Sequence, residues 1–343
     1  MDDVSIAPEP SLARVPERAG VTAEIFHNEI LPAAQPVVMR GIVADWPIVK
    51  AGRESPQALL DYIRRFDRGN SVSTMMGPPS IKGRFFYNAD LSGFNFRPGQ
   101  SKLSGVLDFM MTSAGEAQPP AIAAQSIPIG ANLTGMQVEN RMPLLDESVD
   151  PRIWIGNQVI IAAHHDPSEN IACVAAGRRR FTVFPPEQLE NLYMGPFELT
   201  PAGATISMVS FDEPDFEQYP KFRDALAAAQ VADLEPGDAI YIPYLWWHHV
   251  RSIERFNVLV NYWWTPPAQG RGAPRDAFFH AMLAIKDLPP AHRQAWREMF
   301  EHYVFQTDGP AGEHLPPPRR GIIGRIDPEG ARQMRGMLAK ALR

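Results

Sequence analysis

The segment Val159-Ile160-Ile161-Ala162-Ala163-His164-His165-Asp166 decides the reading of this chain. A short apolar run ends in two imidazoles and a carboxylate. Read as a strand, it alternates faces with period two, so His164 and Asp166 share one face. A nitrogen and an oxygen ligand can then meet at one point. A second doublet, His248-His249, follows another strand-like run from Ala239 to Trp247. Four of the nine histidines thus fall in two doublets at strand ends. Two imidazoles and one carboxylate form a facial triad, which leaves open positions on an octahedral metal. Periodicity does not choose between His248 and His249. Mixed nitrogen and oxygen ligands admit Fe(II), Mn(II), Co(II), Ni(II) or Zn(II). The plainer reading of the same residues is hydrogen-bonded core imidazoles.

Outward from this segment the pattern repeats. Apolar runs occur at Arg152 to Ile155, Ala172 to Ala176, Phe181 to Phe184, Ala204 to Val209, Ala239 to Ile242 and Phe256 to Trp264. Most are bounded by Gly, Pro, Asp or Asn, and many short strands with turn signals indicate a sandwich or barrel. The 34 prolines and 25 glycines argue against long bundle helices. Upstream, Gln35 to Gly41 reads as a strand. Ser55-Pro56 opens a helix that reaches about Phe66, and Leu103 to Met111 reads as another.

After Pro266-Pro267 the texture changes. Asp276 to Leu288 and Pro290 to Phe305 read as helices. Trp296, Met299, Phe300 and Tyr303 fall on one stripe, which suits packing on the barrel or a homodimer surface. The expected organisation is an arm over 1–20, a catalytic domain over 21–265 and a helical region over 266–343.

The net charge of -6 is not that of a domain built to neutralise phosphates, so no nucleic-acid partner is expected. The basic tail from Ala311 to Arg343 reads as a solvated end or a subunit contact. No apolar run of about 18 residues occurs, so no membrane span is expected. Cys173 is the only cysteine, which rules out an intrachain disulfide and suits a reducing compartment. With no basic and apolar leader at the start, the expectation is cytoplasmic.

His164-His165-Asp166-Pro167-Ser168-Glu169-Asn170, Gly177 to Pro186, Pro236 to Pro243, Trp246-Trp247-His248-His249 and Asn257 to Trp263 occur in the order of a known signature. From about residue 22 to 265 the chain resembles the JmjC and cupin-like Fe(II), 2-oxoglutarate-dependent oxygenases, in particular the factor-inhibiting-HIF type of asparaginyl hydroxylase. The resemblance implies a double-stranded β-helix, or jelly roll, with flanking N-terminal helices and a C-terminal helical appendage. It implies His164, Asp166 and His248 as iron ligands, which settles the second doublet on its first histidine. It places Arg179 where the family has a lysine for the far carboxylate of 2-oxoglutarate. Independently, Arg179, Phe181 and Val183 share one strand face, with Arg178 and Arg180 outside. Ile161 stands where a helping threonine is expected, and Tyr87 or Phe86 matches a helping tyrosine. Asn170, Asn261 and Trp263 match residues near the cofactor. His249 becomes a neighbour of the metal, and His165, His249 and Asp212 are candidate substrate-binding residues. Asp212, in the acidic segment Ser210 to Glu217, borders the substrate groove.

The implied reaction is hydroxylation of a C–H bond in a protein side chain or small molecule, using Fe(II), 2-oxoglutarate and O2. The competing classes are a metal-dependent cupin that does not use 2-oxoglutarate, and a metal-binding scaffold without turnover.

Overall fold

The fold is described from a computed structural model over residues 12–265 and 272–342. The chain divides into two compact units, Met1–Trp264 and Thr265–Arg343. The break after Pro266-Pro267 lies outside the described residues.

Eleven strands of the first unit matter for the site. They are β1 Val37–Arg40, β2 Ser71–Gly77, β3 Ala121–Pro128, β4 Pro151–Gly156, β5 Ile160–His165, β6 Glu169–Ala176, β7 Arg179–Phe184, β8 Gln230–Leu234, β9 Ala239–Ile242, β10 Trp247–Ser252 and β11 Asn257–Trp264. One sheet carries β8-β7-β10-β5, with Ala13–Arg14 and Arg84–Phe85 at its edges. The other carries β1-β9-β6-β11-β4-β3-β2, edged by Glu17–Ala19 and Arg97–Lys102. The N-terminal arm thus contributes an edge strand to each sheet. The chain crosses between sheets from β5 to β6, β6 to β7, β8 to β9, β9 to β10 and β10 to β11. That alternation winds the two sheets into the double-stranded β-helix.

Each strand of the larger sheet divides its side chains between two cores, as period two demands. Val174, Ile240, Ile242 and Leu259 point between the sheets, where they meet Phe181, Val183 and Val250. Ile171, Cys173, Tyr241, Val258 and Val260 point the other way, onto Phe26, Leu59, Leu60 and Ile63. The helices Pro47–Glu54, Pro56–Arg64 and Leu103–Ser113 supply part of that outer layer. Ser55 caps the second of these through a bond from Ala58 N, with Pro56 at its first position. Cys173 is fully buried there, and burial pushes its thiol pKa up.

The run Ala204 to Val209 does not become a strand. It makes single bridges, Ile206 to His164 and Ser207 to Met194. Segment 194–209 is therefore a loop laid along the end of β5. The second unit has helices Pro274–Ile285, Pro290–Phe300 and Pro328–Ala341. No helix among the described residues is long and apolar enough to cross a membrane.

Candidate metal centre

His164 is near the end of β5 and pairs directly with His248 at the start of β10. Their ring centroids are 4.2 Å apart. The pairing is irregular one step further on, where Val250 faces Ile161. The extra residue of this bulge is on β5, and bulges re-aim side chains beside active sites. As a result Ile161, Ala162 and His164 all line the same cavity, which strict alternation would forbid. Asp166 follows the strand end, and its backbone carbonyl is held by Leu245 N. Ligand atoms of His164, Asp166 and His248 all lie within 4.8 Å of one another.

The protonation of the two rings follows from their backbone partners. His164 Nδ1 lies 3.0 Å from Ala162 O, and His248 Nδ1 lies 3.2 Å from Trp246 O. A carbonyl only accepts, so each Nδ1 carries a hydrogen, and Nε2 is the nitrogen that a neutral ring offers to a metal. Burial, helped by His164, holds His248 well below the usual histidine range, so it is neutral. Its Nε2 then faces Asp166 Oδ2 at 3.5 Å, lone pair towards carboxylate. That oxygen is buried without a hydrogen-bond partner. Two acceptors held together in a buried site repel unless a cation lies between them. The residues present therefore fit a divalent metal, and the Nδ1 contacts fix both rings for it.

A cavity of about 110 Å³ opens on these three residues. Arg179 lines it, pairing with Ser252 while His248 pairs with Val183, so Arg179 is deeper along the strands than the triad. Its side chain is buried, its Nε has no partner, and no carboxylate among the described residues pairs with it. Burial pushes its pKa down to about 10, still high enough to keep it charged at neutral pH. Arg178 and Arg180 lie outside, 2.6 Å from Glu254 and Asp233 respectively.

Asn170, Asn261 and Trp263 also line the cavity. Trp154 Nε1 donates to Asn261 Oδ1 at 2.7 Å, and Asn261 Nδ2 approaches Asn170 Oδ1 at 3.4 Å. The remaining sequence candidates lie elsewhere. Tyr87 donates its hydroxyl to Leu199 O at 2.7 Å and does not line the cavity. His165 lies edge-on to Trp247, and His249 stacks on Phe211 at 4.4 Å. Asp212 is ion-paired with Arg251. None of these three faces the cavity. The loop residues that do are Pro201, Ala202, Ala204 and Ile206, upstream of the acidic segment. Gln125 and Trp154 also line it. Sequence reading missed both, although the alternation of Arg152 and Trp154 against buried Ile153 and Ile155 in β4 carries the signal for Trp154.

Fold and site together define a double-stranded β-helix whose His164, Asp166 and His248 could hold a metal ion, with the buried guanidinium of Arg179 lining the same cavity. Residues 22–270 match the family model described as the cupin-like domain, and the chain belongs to that family, within the JmjC and cupin-like group of 2-oxoglutarate oxygenases. The chain is 35% identical over 103 residues to lysine-specific demethylase JMJ31 of Arabidopsis thaliana, covering 30% of this chain and 18% of that protein. It is 24% identical to Jumonji C domain-containing protein 5 of Drosophila melanogaster, covering 73% of this chain and 59% of that one. It is 25% identical to tRNA wybutosine-synthesizing protein 5 of Gallus gallus, covering 75% and 78%. The first two relatives are thus spanned over less than two thirds of their own length.

Proposed function

We propose that this protein is an Fe(II)- and 2-oxoglutarate-dependent dioxygenase that hydroxylates an unactivated C–H bond. The observation that carries this reading is Arg179, a buried guanidinium with no anionic partner, lining the cavity of the triad. A charge left unpaired in a buried site is costly, and a carboxylate ligand satisfies it bidentately. His164 Nε2, His248 Nε2 and an Asp166 oxygen would hold the iron. When bound, iron with 2-oxoglutarate and O2 supplies an oxidant able to break a C–H bond, with succinate and CO2 as the other products. Asn261, oriented by Trp154, offers an amide beside Asn170 to the ligand. Ile161, Phe181, Val250 and Leu259 wall the cavity and exclude water. Hydroxylation of an N-methyl carbon, the chemistry a demethylase needs, would use the same machinery.

Anaerobic titration with Fe(II) and then 2-oxoglutarate tests this. A weak visible charge-transfer band is expected. Iron binding without a band would favour a cupin that does not use 2-oxoglutarate or a metal-binding scaffold without turnover, and no iron binding would overturn the reading of the triad. Arg179→Ala should weaken 2-oxoglutarate binding by at least about tenfold and leave iron affinity unchanged.

We also propose that the helical unit joins two copies of the chain. Leu283 is 79% exposed, and Trp296, Met299 and Val304 are also open, more apolar surface than a small helical unit leaves bare without use. Sedimentation velocity should give twice 38.2 kDa, and Leu283→Glu should shift it towards the single-chain mass.

A further inference from the structure

The strand register orders the cavity from floor to mouth. Arg179 is at the floor, opposite Ser252, and the histidine pair is higher, where His248 faces Val183. The mouth is where β11 ends, with Trp263 opposite Asn170 and Asn261 opposite Arg152. A cavity volume of about 110 Å³ is well below the roughly 300–1,000 Å³ of a ligand pocket. Once a co-substrate lies against Arg179, a further ligand must be read at the mouth.

The mouth is rich in donors. Trp263 Nε1 is buried and has no acceptor. Gln125 lines the cavity from a bulge in β3, where the pairing with β4 slips between Ala124 and Ile127. Ser126 in that bulge takes φ 49°, a conformation unusual for a side chain with a Cβ. Arg152 holds the bulge by donating from Nη1 to Ser126 O and Oγ, both at 3.0 Å. Its guanidinium carbon lies 6.0 Å from the centroid of the Trp263 ring. No carboxylate among the described residues forms an ion pair with Arg152.

The acceptors point the same way. Among the described residues, Asp166, a candidate metal ligand, is the only acidic side chain lining the cavity. An ammonium substrate would therefore find no counter-charge there. Trp154 and Trp263, edge to face at 5.8 Å, resemble two walls of a cage for a methylated ammonium. Arg152 lies beside the second wall, so a cation there would meet like charge.

We infer that the mouth binds a carboxylate of the substrate, with Trp263 Nε1–H and Gln125 as the lining donors and Arg152, which lies beside Trp263 and does not itself line the cavity, as the nearby positive charge. The substrate class is thus a carboxylate-bearing molecule and not a lysine side chain. This rests on the proposed use of the deeper site by 2-oxoglutarate, because only then is the mouth left for substrate.

The test uses the full chain loaded with Zn(II) and 2-oxoglutarate, so that the floor is filled. The indole N–H resonances of the seven tryptophans are followed by NMR, with Trp263 identified through Trp263→Phe. Benzoate should shift the Trp263 resonance saturably, and benzamide should not. Arg152→Gln should weaken benzoate binding by about tenfold or more, while Arg152→Lys, which keeps the charge, should stay within about threefold. No response to benzoate, an equal response to benzamide, unchanged affinity in Arg152→Gln, or a stronger response to tetramethylammonium would each overturn the inference. The charge-transfer band of the Fe(II) protein is recorded in parallel. A band without a benzoate response rejects the mouth site alone, and a missing band rejects the reading of the floor.

Discussion

At the scale of single residues, the chemistry lies in which side chains have partners and which do not. Asp166 Oδ2, Arg179 Nε and Trp263 Nε1 are buried without any, whereas Tyr87, His249 and Asp212 are already engaged. The distinction sets a prediction for Tyr87. Its hydroxyl is bonded to Leu199 O, in the loop that walls the cavity through Pro201 and Ala202. Tyr87→Phe should cost about 1 kcal/mol of stability in chemical denaturation. It should leave 2-oxoglutarate affinity within about twofold, as titration with the Fe(II) protein will show. The triad was legible in sequence because parity places His164 with Asp166, and the order of motifs chose His248. The fate of Tyr87 was not, because a tyrosine near the start of the barrel has the same local sequence whether it meets a ligand or a loop carbonyl.

At the scale of elements, most strands around the site were legible, but β3 and β8 were not, and neither were the irregularities. Period two assigned Arg179, Phe181 and Val183 to the interior and Arg178 and Arg180 to the outside, as the structure has them. Period two also fails at Ile161, because the β5 bulge brings Ile161 and His164 to one side. A bulge changes backbone pairing without requiring a distinctive side chain, so sequence gave no sign of it. Ala204 to Val209 has strand-like composition, but Pro201 and Gly203 precede it and only two bridges form. The turn from β6 to β7 allows a sharper statement. Gly177 has φ +70°, and a Cβ there would press into Phe256 O and the Asn257 side chain. Gly177→Ala should destabilise the fold by roughly 1–3 kcal/mol. Thermal unfolding should show it, and because the turn sets the entry of β7, 2-oxoglutarate affinity at Arg179 should fall as well.

At the scale of the molecule, the site is a place where the fold accepts a cost. Neutral His248 against Asp166 and an unpaired Arg179 are both unfavourable in the bare protein. Binding should recover that cost. A divalent metal at one hundred times its dissociation constant should add about 2.7 kcal/mol to unfolding free energy, and 2-oxoglutarate should add a further increment that Arg179→Ala abolishes. Calorimetry with and without Zn(II), or after a chelator, measures both. An unchanged melting temperature would mean that the triad holds no ion.

The crossing of the chain between sheets has one more outcome. His164 on β5 and Asp166 just after it emerge together, but His248 waits on β10, after the whole excursion through β6 to β9 has been laid down. A ribosome-bound chain that ends before Trp247 holds only two of the three candidate ligands. Under the proposed reading, metal capture therefore waits for a completed fold, and a product truncated before Trp247 lacks the full triad.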